Sequence, residues 1–274
     1  MTIVNNAPQR AGCPARRVIW LMLVFLVCCA ALVPAPLTAQ ESPAWPERTF
    51  VTVDVPFQPL SNDFSESLRV ADSITRTEDA TFHARYESTR GALVDAGAGV
   101  RVANNLGIGA TASWFRRSGR GAFDLAVPNP LVTNRPLDLA GSISGLTRTE
   151  VGIHIHALHA LSLGKRTRVM LGGGPSIFNT KQDLVRSIEF ERLPGFTGLK
   201  FDRALITPVE RTMIGFNVSA DITWAFTSHV GVGTVTRYSR AKAAFDPGSE
   251  SGVHRAIEIL AGGLHIGGGI RLLF

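Results

Sequence analysis

Two histidines one residue apart, His154 and His156, form the pattern in this chain that comes nearest to a metal-binding motif. Residues two apart on a β-strand share a face, so both imidazoles would point the same way. A structural zinc site takes four protein ligands, however, and this pair supplies two. His265 belongs to a segment that is not expected to neighbour them. The sequence therefore predicts no metal site and no cofactor.

A serine beside a histidine could instead provide an activated nucleophile for cleaving a lipid ester. His159 is the histidine that falls on an outward position of its segment, and no serine shares its face at two-residue spacing. Ser176 and Ser219 are predicted to point inward without a partnering histidine. We therefore predict that the protein is not an enzyme, and that neither catalytic nor cofactor-binding residues are present.

These side chains must be positioned by long alternating segments, of which the last, residues 260–274, is the clearest. Every second residue from Leu260 to Phe274 is apolar or glycine, while His265 and Arg271 lie on the intervening positions. A period of two indicates a strand with one apolar and one wetter face. Its length of about 15 residues far exceeds that of an ordinary strand. Glu258 breaks the pattern upstream; we attribute this to the end of the lipid band, with a β-bulge near Leu260 as the alternative.

The amino terminus predicts export. Residues 1–39 combine three arginines, an apolar run and a small-residue cleavage site, which is typical of a secretory signal peptide. All three cysteines lie within this leader, so no disulfide is expected in residues 40–274. Three of the 28 basic residues lie there too, and no nucleic-acid motif is present, so we predict no nucleic-acid partner.

Residues 40–274 read as eight strands whose connections alternate between long and short. The predicted strands cover about 50–57, 80–102, 106–117, 150–161, 167–178, 211–226, 230–240 and 260–274, and the long loops lie near 58–79, 118–147, 179–209 and 243–255. The apolar faces lack the polar residues that a water-exposed face needs, which argues against a soluble sandwich or lipocalin. We predict an all-β fold, an antiparallel eight-stranded up-and-down transmembrane β-barrel, in the cell outer membrane.

The pattern resembles the small eight-stranded bacterial outer-membrane barrels, the group that includes the OmpA transmembrane domain, OmpX and OmpW-like proteins. The resemblance rests on the architecture and on the terminal Phe274, and it covers essentially all of residues 40–274. It implies that assembly machinery recognises the end of the chain at Phe274.

An eight-stranded barrel has an interior just wide enough for its own side chains, so inward charges must pair or be hydrated. Turn geometry places Asp221 diagonally opposite Arg237, and we predict that they pair, with Arg271 and Asp54 as a second pair across the seam. We expect this set to form a polar plug rather than a gated path. The predicted lumen network comprises Asp54, Asp95, Arg101, His154, His156, Arg168, Asp221, Arg237, His265 and Arg271.

Outward residues predict two rims. Aromatic girdles are expected at the headgroup level, formed by Phe57, Trp114 and Tyr238 externally and by Trp224, Phe226 and Phe274 on the periplasmic side. Arg90, Arg116 and Arg240 would stand just above the lipid band, where guanidinium groups could bind lipopolysaccharide phosphates. The alternative is ordinary rim charge, in which Glu258 pairs with Arg240.

The function predicted from these features is a structural or surface-interaction role, with recognition residing in the external loops. The alternative is a narrow, OmpW-like channel for small or hydrophobic molecules. The expected partner is outer-membrane lipid; the sequence does not identify an external ligand.

Overall fold

The computed structural model describes residues 47–60, 63–71, 79–87, 90–164, 166–245 and 257–274. The predicted signal peptide, residues 1–39, lies outside these ranges. None of the described residues forms a helix long and apolar enough to cross a membrane. They form eleven β-strands and one 3-10 turn (Pro194–Phe196): β1 (Thr49–Gln58), β2 (Phe64–Ala71), β3 (Asp79–Glu87), β4 (Gly91–Ala92), β5 (Val94–Ala103), β6 (Leu106–Val127), β7 (Leu137–Ser162), β8 (Thr167–Arg192), β9 (Leu199–Ala225), β10 (Val230–Phe245) and β11 (Ile257–Leu273).

Eight of the described strands close into an antiparallel ring. β1 pairs with β5, β5 to β11 then pair in chain order, and β11 pairs with β1. The closing seam runs from Phe50 opposite Leu273 to Phe57 opposite Ile266. The predicted all-β, eight-stranded barrel is therefore confirmed. Closure is what makes such a sheet stable in lipid, because it leaves no strand edge without hydrogen-bond partners.

Side chains alternate across the wall of the ring as the period-two pattern predicts. On β1, Val53 is 50% exposed on the outside, while its neighbour Asp54 is buried on the inside. On β9, Phe216 and Val218 are exposed and Asn217 between them is buried. An apolar outer surface around a polar interior is the reverse of a water-soluble barrel, and it is the arrangement that a lipid environment requires.

The two ends of the ring differ. The short-turn end is where β1 begins and β11 ends, and its connections are 104–105, 163–166 and 226–229. The opposite, long-hairpin end differs from the predicted loops, because much of 118–147 and 179–209 is strand: β6 runs to Val127, β7 begins at Leu137, β8 runs to Arg192 and β9 begins at Leu199. Outward residues turn polar once the wall leaves lipid, so the composition indicated loops although the strands continue.

The part of the barrel nearest the long-hairpin end has a mainly apolar interior. Its buried residues come from β3 and from β6 to β11 and include Phe82, Tyr86, Phe123, Leu125, Leu146, Phe178, Leu184, Met213 and Ile259. Burial raises the pKa of Tyr86 to about 12, so its hydroxyl stays neutral and donates to Glu66 Oε2 at 3.1 Å. The Tyr86 hydroxyl oxygen in turn accepts from the Val185 N–H at 3.0 Å, which joins β3 to β8. Hydrophobic burial therefore holds together the part of the wall that faces water.

The predicted strand 80–102 is interrupted. β5 and β4 stay with β1, whereas β3 pairs with the upper half of β6 and with β2, which lies inside the predicted loop 58–79. The Arg117 side chain fills the space above Gly91, which a Cβ atom would occupy. Its Nη2 donates to the Ala92 carbonyl at 2.8 Å. Even-numbered residues face inward on β3, whereas odd-numbered residues face inward on β5, so the inward face changes parity at this break. Because the even-numbered positions are the more apolar ones on both strands, the pattern of residue types does not reveal the change of partners.

Glu258 lies on the outer surface without any reset of the alternation. The pairing of β10 with β11 is continuous from Val230 opposite Leu272 to Phe245 opposite Ile257. Glu258 is exposed and Ile259 buried, as their parity requires. The depth interpretation of Glu258 therefore agrees with the structure, and the alternative of a register-shifting bulge does not.

Gly262 on β11 is expected to be irreplaceable. Its φ is +83°, and a Cβ atom would lie 2.5 Å from the Ser239 carbonyl oxygen. Gly145 has nearly the same φ, +82°, but open space around it, so Gly145→Ala measures the backbone penalty alone, roughly 1–2 kcal/mol. Gly262→Ala should lower the free energy of unfolding by clearly more, as measured by urea titration in detergent micelles. Equal losses for the two variants would contradict the close packing of Gly262.

Candidate functional site

The barrel interior gathers the predicted lumen residues. All ten are on inward-facing positions of the ring, and eight of them are fully buried, whereas Arg101 and Asp221 are half-buried. Arg168 lies at the short-turn end and pairs with Glu47. Arg101 lies at the same end, next to the 104–105 turn. The other eight lie between the two ends, where the outer surface is apolar. Such a concentration of buried charge requires mutual pairing to be stable.

Arg271 is the most connected of these side chains. It is fully buried, and its Nη1 donates to Asp54 Oδ1 at 2.7 Å across the seam between β11 and β1. Its Nε donates to Asp221 Oδ2 at 3.1 Å, and its Nη2 contacts the same carboxylate. Thr223 Oγ1 donates to Asp221 Oδ1 at 2.7 Å. One guanidinium thus neutralises two carboxylates from different strands, β1 and β9. The pair of Arg271 with Asp54 forms as the sequence predicted.

The predicted pair of Asp221 with Arg237 does not form. The register is as expected, with Val235 opposite Asp221, but Arg237 Nη2 lies 2.8 Å from Asp95 Oδ2 and both side chains are 2% exposed. Asp95 belongs to β5, on another part of the wall. The prediction was wrong because it considered neighbours within one hairpin, whereas long side chains in so narrow a barrel reach across the lumen.

His265 continues the network around Arg237. Arg237 Nη2 donates to His265 Nδ1 at 3.3 Å, and His265 Nε2 lies 3.3 Å from Gln58 Oε1. These partners assign the proton of the imidazole to Nε2, since Nδ1 must accept from a guanidinium. His265 therefore takes part in the polar network as a neutral ring.

The His154 ring forms hydrogen bonds with two serines, and one of these is Ser176, for which the sequence predicts no partnering histidine. His154 Nδ1 lies 2.8 Å from Ser176 Oγ, and Nε2 lies 3.1 Å from Ser113 Oγ. Asn217 Nδ2 donates to Ser176 Oγ at 3.0 Å. The register of the β7–β8 hairpin puts His154 directly opposite Ser176, so extending the pairing from the short turn at 163–166 would have found it.

This serine–histidine pair is poorly placed for nucleophilic catalysis. His154 is 0% exposed, and both of its ring nitrogens are engaged by hydroxyl groups rather than by an orienting carboxylate. A nucleophile must reach its substrate, and Ser176 is buried as deeply as the ring. The arrangement satisfies the hydrogen-bonding capacity of a buried imidazole.

His154 and His156 do not converge on a common point. Their ring centroids are 6.3 Å apart, and His156 Nε2 lies 3.2 Å from Thr111 Oγ1. In the part of the chain that the structure describes, no group of three or more potential ligand side chains could hold a metal ion. The two histidines instead make separate hydrogen bonds, His154 with Ser113 and Ser176 and His156 with Thr111.

Apolar side chains fill the lumen on either side of the polar network. At the short-turn end Phe50, Leu158, Ala160, Met170 and Leu273 form a buried layer. At the long-hairpin end lies the apolar core described above. Between them is a cavity of about 60 Å³ lined by groups such as Asp95, His156 and Arg237. That volume suits a few water molecules.

The outward aromatic residues occupy two levels. Phe57, Trp114 and Tyr238 lie towards the long-hairpin end of the apolar surface, and Trp224, Phe226 and Phe274 lie at the short-turn end. The Trp224 and Phe226 rings contact each other edge to face, with centroids 4.8 Å apart. Rings at these two levels mark the boundaries of a lipid-facing band.

Arg90, Arg116 and Arg240 are exposed just beyond that band, as their parity requires. The alternative pairing of Arg240 with Glu258 does not occur. Glu258 Oε2 lies 2.5 Å from Lys242 Nζ instead, and the register places Arg240 opposite Gly262, four residues from the level of Glu258. Among the described residues, Glu258 therefore does not neutralise the Arg240 guanidinium at the rim.

A closed ring with an apolar belt, two aromatic levels and a charged, filled interior is the architecture of a small transmembrane β-barrel, the class found in bacterial outer membranes. No protein-family model matches the chain, and no curated protein matches it. Several solved structures are similar to the chain. Neisserial surface protein A is 14% identical, with 82% of this chain and 97% of that one covered and a TM-score of 0.40.

Two further similar structures differ in what they do. Ail, the attachment invasion locus protein of Yersinia pestis, solved with the heparin analogue sucrose octasulfate, is 8% identical, with 82% and 99% of the chains covered and a TM-score of 0.34. The outer membrane protease OmpT from Escherichia coli is 9% identical, with 86% and 100% covered and a TM-score of 0.40. Because an attachment protein and a protease both appear, the likeness does not select an activity.

Arg271 should be essential to the stability of the interior. Arg271→Met leaves Asp54 and Asp221 buried without their shared cation, and we expect it to lower the free energy of unfolding by about 3–5 kcal/mol. Urea unfolding in lipid vesicles, followed by tryptophan fluorescence, measures the loss. Arg240→Met is the matched control, with an expected change within about 0.5 kcal/mol because its guanidinium is exposed. Similar losses in both variants would contradict the central position of Arg271.

Proposed function

We propose that this chain is a closed outer-membrane barrel with a structural and surface-interaction role, not a channel. The observation that carries the proposal is the filled lumen, in which an apolar layer, a paired polar network and an apolar core follow one another. The short-turn end would face the periplasm and the long hairpins the exterior. Recognition by the assembly machinery at Phe274, which is exposed at the short-turn end, belongs to the same proposal.

The long hairpins are the elements proposed to carry recognition. At the tip of the β6–β7 hairpin Leu131 is 67% exposed, and its N–H donates to Asn129 Oδ1 at 2.9 Å, which stiffens the turn. At the tip of the β8–β9 hairpin Leu193 and Phe201 are exposed as well. Apolar side chains held on ordered turns above a rigid barrel suit contact with another surface.

A non-enzymatic role is part of the proposal. The serine–histidine pair of the interior is sealed from both ends, and His159, on the outward surface, is not joined to a serine by any hydrogen bond among the described residues. The chemistry available to the outer surface is instead that of exposed cations. Arg90, Arg116 and Arg240 suit phosphate oxygens of the outer leaflet, including those of lipopolysaccharide, because guanidinium forks match them.

The filled lumen can be tested by planar-bilayer recording on the refolded chain. We expect no steady conductance from the wild type, because both apolar layers interrupt any water path. Arg271→Met is the matched variant, and it should stay closed as well, since it leaves those layers intact. Successful insertion is checked by the heat-dependent shift of the folded band in electrophoresis. A steady opening of the wild type would overturn the proposal in favour of a narrow channel.

The rim arginines can be tested by the lipopolysaccharide that remains on the purified barrel. We expect the triple change of Arg90, Arg116 and Arg240 to serine to reduce it at least about threefold, as for the loss of several charge-assisted contacts. The matched control changes three exposed cations away from the belt, Arg135, Lys200 and Arg203, to serine and should retain it. Equal retention by both triple variants would remove the lipid-binding part of the proposal.

A further inference from the structure

The first part of β11 is paired with only one of its two neighbouring strands among the described residues. Its pairing with β10 continues to Ile257, but among the described residues its pairing with β1 stops at Phe57 opposite Ile266. Even-numbered residues of β11 direct their backbone groups towards β1, since the Phe274 N–H donates to the Thr49 carbonyl, whereas the Leu273 N–H donates to His229 on the other side. The backbone groups of Leu260 and Gly262 therefore face the side that β1 does not reach.

Two charged side chains from β7 meet these backbone groups. Glu150 Oε1 accepts from the Gly262 N–H at 2.8 Å, and Arg148 Nη2 donates to the Leu260 carbonyl. Arg148 and Glu150 also pair with each other, with Nη2 2.9 Å from Oε2. One acceptor and one donor are thus presented to the edge of β11, as a neighbouring strand would present them.

The backbone of β11 is shaped to make these contacts. Gly262 has a φ of +83° and Gly263 one of +155°, values that side chains rarely allow. An N–H in a regular strand lies in the plane of the sheet, so a distortion is needed for it to meet a side chain from the lumen. The two glycines supply that distortion at the level of Arg148 and Glu150.

Burial makes the arrangement interdependent. Arg148 is 4% exposed and Glu150 7%, so each charge depends on the other and on a backbone partner. Arg148 Nη1 and Gln182 Oε1 both line a neighbouring cavity of about 10 Å³ and have no partner within the described chain. That volume is about the size of one water molecule.

We propose that the Arg148–Glu150 pair replaces the missing strand at the edge of β11 and holds the seam of the barrel closed above the end of β1. The pair is a positioning device: it fixes Leu260 and Gly262 through backbone hydrogen bonds, and thereby fixes Ile259 and Ala261 in the apolar core. The proposal does not depend on what the hairpins recognise.

Amide hydrogen exchange on the full, isotope-labelled chain in micelles tests this directly, with the Ile270 amide, which faces β1, as reference. Glu150→Ala should speed exchange at Gly262 at least about tenfold and leave Ile270 unchanged, because only the upper seam opens. Glu150→Gln keeps an acceptor oxygen and should stay within about threefold of the wild type. Arg168→Ala, which breaks a buried pair with Glu47 at the short-turn end, should leave Gly262 protected.

The exchanged pair Arg148→Glu with Glu150→Arg separates the two possible roles. It keeps the opposite charges but faces a guanidinium donor to the Gly262 N–H and a carboxylate to the Leu260 carbonyl, so exchange should be as fast as in Glu150→Ala. Protection restored by the exchanged pair would show that charge pairing alone suffices and would overturn the proposal, as would fast exchange in Glu150→Gln. If Glu150→Ala fails to fold, the wild type decides: a Gly262 amide that exchanges freely there overturns the proposal.

Discussion

The structure depends on one constraint, that no backbone hydrogen-bonding group can be left unpaired where lipid surrounds the sheet. The seam between β1 and β11 satisfies it by giving the first and last strands of the ring to each other. Once the ring is closed with eight strands, its interior is narrow and its outer surface must be apolar. The polar side chains are thereby confined to the inside, where each charge has to find a partner.

The same wall has two kinds of interior. Beside the apolar belt the lumen holds pairs such as Arg271 with Asp54 and Arg237 with Asp95, whereas beyond the belt it holds Phe82, Phe123 and their neighbours. The reason is the medium outside. A barrel segment surrounded by lipid does not need an apolar interior to be stable. A segment surrounded by water does, because burial of apolar side chains is what stabilises it there. The change from Ile266 to Glu258 on the outer surface of β11 marks the same boundary from outside.

The sequence predicts the features that depend on residues close together along the chain, and it does not predict the contacts between distant strands. Alternation placed His265 and Arg271 inside, and local turns set Val235 opposite Asp221. The partners of those residues depend instead on contacts across the lumen, as when Arg237 meets Asp95. The pair of His154 with Ser176 lay within reach of the sequence, since it follows from extending one hairpin. The change of partners between β3 and β5 did not, because the even-numbered residues are the more apolar ones on both strands, although they face inward on β3 and outward on β5.

An arginine side chain lies at each of the two places described above where strand pairing is interrupted. At the break between β3 and β4, Arg117 donates to the Ala92 carbonyl. In the part of β11 that extends beyond the end of β1, Arg148 donates to the Leu260 carbonyl. A guanidinium has five donors in a rigid plane on a long stem, so it can reach a carbonyl oxygen that has lost its strand neighbour. The position of Arg148 costs more, because it is buried, and Glu150 offsets that cost while it accepts from Gly262. A ring closed by backbone pairing in lipid is thus continued by side-chain pairing above it, where the strands no longer match in length.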